Sequence, residues 1–376
     1  MKPYIYSILF LFSVTISFSQ TKEIILKKSF KVDENTILNL DLDNVAIVFE
    51  ESFDDKIHFD YSMTFIRYPK NRKENLLKGV HVKSAKKGNI VNLDVKNSMY
   101  VGMSKSPLLS MDSLKVAITN YMKFHKKKSG LYKTKDSLIN EIKYSLGGEL
   151  DSYLFNNKGK YANDAFIKKQ KDIDKSFIIK VPKYITIKIK ALHSSLTFNY
   201  DVKKTITANT FRGKLKFKKL LSKDNKFQLI NGFFQVEEIQ GGNYLLKGVH
   251  PAKIGSISKS KIDLETSTLK IGEIGENVTI NDFSSKLYLY NFNKNFTKFN
   301  LTGDYSELNF YKVVENNFSM DIFGHNTVLN MNNTKASFGV NKEKELTKIL
   351  QKERKENEPF LGNIEVVLRN GILNIK

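Results

Sequence analysis

The chain has 376 residues, 41% of them hydrophobic, with 61 Lys and Arg against 39 Asp and Glu and no Cys. That hydrophobic share excludes global disorder, and the missing Cys excludes both disulfide staples and a lipidated cysteine. The formal net charge of +22 points to polyanionic partners such as acidic polysaccharide, anionic headgroups or nucleic acid.

The first stretch, "MKPYIYSILFLFSVTISFSQ", places Lys2 before an apolar run and then Ser17 and Ser19. A basic start, an apolar middle and a small-x-small end predict a secretory signal over residues 1–19. The run is short for a membrane span, and an uncleaved anchor is the alternative. No other stretch approaches membrane length, so no transmembrane span is expected after signal removal. The expected location is exported: periplasm, outer cell surface or extracellular. Export sets nucleic acid aside as a partner.

Residues 20–66 alternate as strands do. Leu38, Leu40 and Leu42 alternate with Asn39, Asp41 and Asp43, and the sets Val45/Ile47/Phe49 and Ile57/Phe59/Tyr61 follow acidic turns. Residues 67–174 differ and are predicted to be a mixed, largely helical basic insertion. It holds one strand, "NIVNLDV". "SPLLSMDSLKVAITNYMKFHKKK" and "TKDSLINEIKYSL" then space Leu108, Met111, Leu114 and Ile118, and Leu138, Ile142 and Leu146, as helices do. Lys126, Lys127 and Lys128 form a basic run there. It is a candidate polyanion contact, although such runs are commonly solvated helix ends.

Residues 175–376 are periodic. Apolar-x-apolar pairs follow a turn at Leu196/Phe198, Leu215/Phe217, Phe234/Val236, Leu269/Ile271, Leu287/Leu289, Leu308/Phe310, Leu329/Met331 and Leu373/Ile375. A second pair precedes each turn, as at Ile187/Ile189 and Val278/Ile280. Most successive pairs lie about 18–21 residues apart, a spacing typical of stacked repeats. The wider gap after Phe234 calls for a degenerate unit near Ile254. Such a unit cannot bury its own inner face, but stacked units can. The predicted fold is therefore mainly β: a single-stranded β-solenoid, β-helix-like, with an α-helical insertion. A β-sandwich is the alternative. "NKEKELTKILQKERKENE", residues 341–358, is predicted to be a short charged helical insert before the last strands.

Candidate chemistry is sparse. His193-Ser194-Ser195 places a histidine beside two serines, but "TFRG", "LETS", "DFSS", "GDYS" and "GHNT" occupy the same corner in other units. Small polar residues suit a tight corner, and a triad would need an acid and an oxyanion hole with no sequence signature here. His58, His81, His125, His193, His250 and His325 show no metal-ligand spacing. Asp41/Asp43 and Asp54/Asp55 read as strand-face and turn carboxylates rather than calcium or acid–base groups. No catalytic, cofactor-binding or metal residue is assigned, and no cofactor is expected. Outward positions are rich in Lys188, Lys190, Lys214, Lys216, Tyr288, Tyr290 and Asn309. Tyr288 and Tyr290 are the candidate glycan contacts, by ring stacking beside positive charge. The competing reading is that exposed lysines keep a strand array soluble.

"DIDKSFIIKVPKYITIKIKALHSSLTF" carries an apolar strand ending in Val181-Pro182, then strand, small polar turn and strand. It resembles the bacterial putative-adhesin family of unknown function, the exported head-domain type found in Bacteroidetes-like envelopes. "NLDLDNVAIVFEESFDDKIHFDYSM" is similar to that family's opening strands. The resemblance implies an exported β-solenoid and supplies no catalytic or ligand residue. The reading is a non-enzymatic, adhesin-like β-solenoid that presents a repetitive surface to an anionic polysaccharide or another envelope component. The alternatives are a periplasmic structural or envelope-stress protein, and an enzyme acting on polysaccharide. The last would need clustered carboxylates across adjacent units.

Overall fold

The computed structural model describes residues 20–66, 68–98, 173–312, 319–331, 337–340, 346–351 and 362–376. The signal over 1–19, the expected helices between Ser106 and Leu146, and Lys126–Lys128 lie outside them. The described residues are mainly β, with one α-helix.

The strands, in chain order, begin with β1 Gln20–Lys31, β2 Ile37–Asp43, β3 Ala46–Glu51 and β4 Lys56–Ile66. Helix α1, Lys70–Lys78, is followed by β5 Val80–Lys87 and β6 Ile90–Asn97. Next come β7 Ile173–Val181, β8 Thr186–Leu192, β9 Ser195–Val202, β10 Ile206–Leu220, β11 Lys226–Glu265, β12 Thr268–Ile274 and β13 Val278–Phe283. Strands β14 Lys286–Leu289, β15 Lys298–Asp304, β16 Glu307–Phe310, β17 Ser319–His325 and β18 Val328–Met331 continue the series. It closes with β19 Ser337–Val340, β20 Leu346–Gln351, β21 Asn363–Arg369 and β22 Ile372–Ile375.

The chain divides into two compact units. The first comprises residues 1–26, 60–81 and 97–176. Its described part buries Tyr61, Met63, Phe65 and Ile173. Helix α1 starts after Pro69, whose fixed φ suits the entry to a helix, and ends at Gly79, whose N–H donates to Leu76 O. It buries no residue. It is held in part by Lys73, which pairs with Glu23 at 2.8 Å.

The second unit comprises residues 27–59, 82–96 and 177–376. Strands that meet at a corner, such as β8 and β9, pair with strands of other levels and not with each other, whereas β19 and β20 do pair, antiparallel. Strand β8 pairs in parallel with β2 and β10, and β9 pairs in parallel with β3 and β10. Each ladder therefore joins a strand to its equivalent one unit away. Leu196, Leu215 and Phe234 stand in register, as do Leu269, Leu287 and Leu308. All six are fully buried. Fully burying one such side chain contributes about 1.5–3 kcal/mol, so these columns carry the fold. Phe49 stacks on Phe198 at 4.1 Å and Phe198 on Phe217 at 4.5 Å, extending the columns as an aromatic run. The degenerate unit expected near Ile254 is present inside the long β11, where Ala252 and Ile254 pair with Leu269 and Ile271.

One expectation changes. Residues 341–358 were expected to be helical, but Leu346–Gln351 is a strand, antiparallel to β17 and to β19. A short apolar run does not separate helix from strand by period alone. Here the open backbone edge of β17 supplies the hydrogen bonds that decide it. The stack is also not in chain order. The C-terminal pair β21/β22 lies between β15/β16 and β17/β18, with Leu373 in register with both Leu308 and Leu329. The N-terminal strands repeat the pattern, with β2 between β6 and β8, and β3 between β7 and β9.

Of the largely helical insertion expected over 67–174, the described part is α1 with β5 and β6. The predicted strand "NIVNLDV" falls on β6.

Candidate functional site

The corners between ladders explain the serines. One residue at each corner has left-handed backbone: Asn44 (φ 53), His193 (φ 48), Arg212 (φ 53), Asn231 (φ 52), Gly248 (φ 62), Thr266 (φ 45), Ser284 (φ 58), Tyr305 (φ 54), Asn370 (φ 47) and Asn326 (φ 50). That conformation costs a residue with a Cβ roughly 1–2 kcal/mol, and Asn less. The next residue is Ser, Thr or Gly at eight of these ten corners and Val at the other two, Val45 and Val249, and where it is Ser its hydroxyl turns onto the backbone. Ser194 Oγ donates to Leu192 O at 2.7 Å and accepts the Val45 N–H at 3.3 Å. Ser267 accepts from Val249 N at 3.0 Å, and Ser285 accepts from Ser267 N at 2.9 Å.

His193 is not the base of Ser194. Its Nδ1 faces Asp43 at 3.7 Å, and its ring meets Phe211 edge-on at 6.3 Å. Partial burial raises the Asp43 pKa, and His193 opposes that rise without cancelling it.

A Ser–His–Asp chain does exist elsewhere, where no sequence pattern marked it. Ser29 Oγ lies 2.8 Å from His58 Nδ1, and His58 Nε2 lies 2.7 Å from Asp54 Oδ1. The His58 and Ser52 hydrogen bonds lower the Asp54 pKa to about 2. The chain lies on open strand surface, with the Asp54 side chain 49% exposed, and it lines neither groove described below. It supplies a hydrogen-bonded relay but no enclosed place for a reacting group. The one sequence signal was His58 four residues after Asp54; Ser29 comes from a different strand.

The predicted tyrosines are brought together. Tyr288 pairs with Lys270 on one side and Asn309 on the other, and Lys270 pairs with Lys253. The Lys270 ammonium lies 5.3 Å from the Tyr288 ring. Tyr290, two residues on along the same face, stacks on Tyr311 at 5.0 Å, and Lys376 lies 5.2 Å from the Tyr311 ring. Next to this aromatic end the column becomes amide. Asn330 donates to Asn374 at 2.7 Å, and Asn374 donates to Asn309 at 3.2 Å.

The predicted lysines divide into two sets. Lys190 faces Asp41 at 3.7 Å, and cross-level pairs such as Lys219–Glu238 and Lys286–Glu307 tie neighbouring strands. Glu238 raises the Lys219 pKa and Glu307 raises the Lys286 pKa. Lys188, Lys214, Lys216 and Lys253 have no ion-pair partner among the described residues. Lys214 and Lys216 lie on the outward face in register with Ser195 and Thr197.

Two grooves open on the second unit. One, about 550 Å³, follows the corner from His250 through Thr266, Ser284 and Tyr305 to Asn370. The other, about 440 Å³, is lined by Glu238, Glu273, Glu276, Lys259 and polar neighbours. Among the described residues no group of three or more His, Asp or Glu is placed to hold a metal ion. No helix among them is long and apolar enough to cross a membrane.

No known family profile matches the chain, and no curated protein does. Among solved structures it is similar to one described as a "putative cell adhesion protein" from Clostridium sporogenes ATCC 15579. The two are 13% identical, over 96% of this chain and 99% of that one, with a TM-score of 0.17. A likeness of that size defines neither fold nor role.

Proposed function

We propose that this chain is an exported, non-enzymatic, adhesin-like β-solenoid that presents one repetitive face to an anionic polysaccharide or another envelope component. The solenoid reading is supported by parallel pairing between equivalent strands around apolar columns, in place of the hairpins a sandwich of consecutive strands would use. The export part of this proposal rests on the signal-like sequence pattern of residues 1–19.

The observation that carries the binding reading is the column of Lys253, Lys270 and Tyr288 in register, with the Tyr290–Tyr311 stack beside it. Positive charge beside aromatic faces recognises a sugar chain with carboxylate or sulfate groups. The strand ladder holds the spacing of these side chains, so little ordering is needed on binding. Lys126, Lys127 and Lys128 are assigned as further contacts for the same class of ligand.

The test is titration of the protein with polygalacturonate at low and high salt. Binding is expected to weaken with salt, because exposed charges are screened. It is also expected to weaken in Lys253→Glu/Lys270→Glu and in Tyr290→Ala. Polygalacturonate binding that ignores salt and all three substitutions would overturn this face as the site. Protease shaving of intact cells tests the location: loss of signal supports surface display, and protection places the protein behind the outer envelope.

A further inference from the structure

We propose that the corner groove from His250 to Asn370 is a separate subsite for an uncharged, hydroxyl-rich oligosaccharide. The inference deepens the adhesin-like reading and shares with it only the class of ligand, since the groove and the lysine–tyrosine face are built from different side chains.

The groove is open, and its floor is made of small residues. Ser267, Ser285, Ser306 and Gly371 follow the left-handed residue on four successive levels. The serine hydroxyls are already spent on the backbone: Ser267 on Glu265 O, Ser285 on Phe283 O and Ser306 on Asp304 O. The hydroxyls of Thr266, Ser284 and Tyr305 stand above that floor and have no hydrogen-bond partner among the described residues. The three residues repeat one per level, their backbones at the spacing of adjacent strands, about 4.7–4.9 Å.

Beside these hydroxyls lies apolar surface. Tyr305 is 61% exposed and Phe283 49% exposed, and their rings meet edge-on at 6.1 Å. Exposed rings next to free hydroxyls suit a sugar ring, which offers a C–H face and a hydroxyl rim. The groove's charges cancel. Lys286 and Glu307 pair at 2.7 Å, and that bond, with one from Asn309, holds the Glu307 pKa below its ordinary value despite partial burial. An acidic chain would find no uncommitted cation here, which favours a neutral ligand.

At the equivalent corner, Asn231, Gly248, Asn370 and Asn326 adopt the left-handed conformation cheaply, while His193 and Arg212 hold it outside the groove. Thr266, Ser284 and Tyr305 hold it on three consecutive levels, all of them in the groove. A β-branched or aromatic residue there is strained, so Thr266 and Tyr305 carry that strain beside the free hydroxyls and the exposed ring.

The experiment is calorimetric titration of the full-length protein with cellohexaose, chitohexaose, xylohexaose and maltohexaose at high salt. At least one is expected to bind, with affinity falling about tenfold or more in Tyr305→Asn and unchanged in Tyr290→Ala. Tyr305→Asn is also expected to melt no lower than the parent, since Asn suits the conformation. Ser284→Gly is a second variant, expected to weaken binding without loss of folding. Failure of all four sugars to bind, or binding indifferent to both Tyr305→Asn and Ser284→Gly, would overturn the subsite. Loss of neutral-sugar binding in Tyr290→Ala would overturn it too, by assigning the ligand to the other face. None of these results bears on salt-sensitive polygalacturonate binding, so the two readings fail separately.

Discussion

Ser285 Oγ accepts the backbone N–H of Ser267 at 2.9 Å, so the corner of one level is fastened to the corner of the next. The same residue type performs the same task at Ser194, which takes the Val45 N–H. Ser194→Ala is therefore expected to cost about 1–2 kcal/mol, because it strands a buried donor. Urea unfolding of the purified variant checks this. No loss of stability would show that the corner is held by the ladders alone.

Leu308 and Leu329 occupy the same column on either side of Leu373, but Leu308 is fully buried and Leu329 only partly. Leu308→Ala is expected to destabilise by about 3–4 kcal/mol. Leu329→Ala should cost roughly a third of that or less, since less contact is lost. Equal shifts in the unfolding midpoint would mean that the column does not end where the register places it.

Asp282 stands at an inward position, in register with Leu264 and Gly303, and is 7% exposed. Neither carboxylate oxygen makes a well-formed hydrogen bond. Burial raises its pKa, and the nearby Ser285 and Ser306 hydroxyls only moderate the rise. In the window between the unfolded value near 3.8 and that raised folded value, the native state binds more protons than the unfolded one. Stability from this group therefore falls as pH rises through the window, and the penalty stays above it. Asp282→Asn should stabilise the protein by about 1–3 kcal/mol at neutral pH and lose that advantage as pH falls below the window. Paired urea midpoints across that range measure it, and a pH-independent difference would contradict the assignment.

Asp54 behaves in the opposite sense. Its pKa of about 2 is set first by the His58 hydrogen bond. His58→Ala should return it toward the ordinary carboxylate range, an upward shift that carboxyl-carbon NMR titration would show. A folded pKa below the unfolded one contributes stability present above the unfolded value and lost as acid titrates the group. An unchanged Asp54 titration in His58→Ala would leave Ser52 as the controlling partner.

Much of this architecture was legible beforehand, because alternation states which side chains face inward. Leu196/Phe198 through Leu308/Phe310 are buried as pairs, and the small corner residues fall at the turns. Alternation does not state which strand lies next to which. Nothing in "NIEVVLRNGILNIK" distinguishes a last layer from an inserted one, since its inward residues match either neighbour. Leu346–Gln351 misled for a related reason: its spacing fits a helix stripe, and the open strand edge that captured it is a tertiary fact. Of the candidate site, Tyr288 and Tyr290 were visible as outward residues. Tyr311 as the stacking partner, the Ser29–His58–Asp54 relay and the strained Tyr305 all depend on register or backbone geometry that composition does not encode.

The insertion of β21/β22 has a mechanical consequence. Strands β21 and β22 are bonded on both sides, so a pull along them cannot release an edge one bond at a time. It must shear the contacts to β15/β16 and to β17/β18 together, and parallel bonds loaded at once resist far more force than bonds loaded in sequence. Strand order alone gives the pair that resistance.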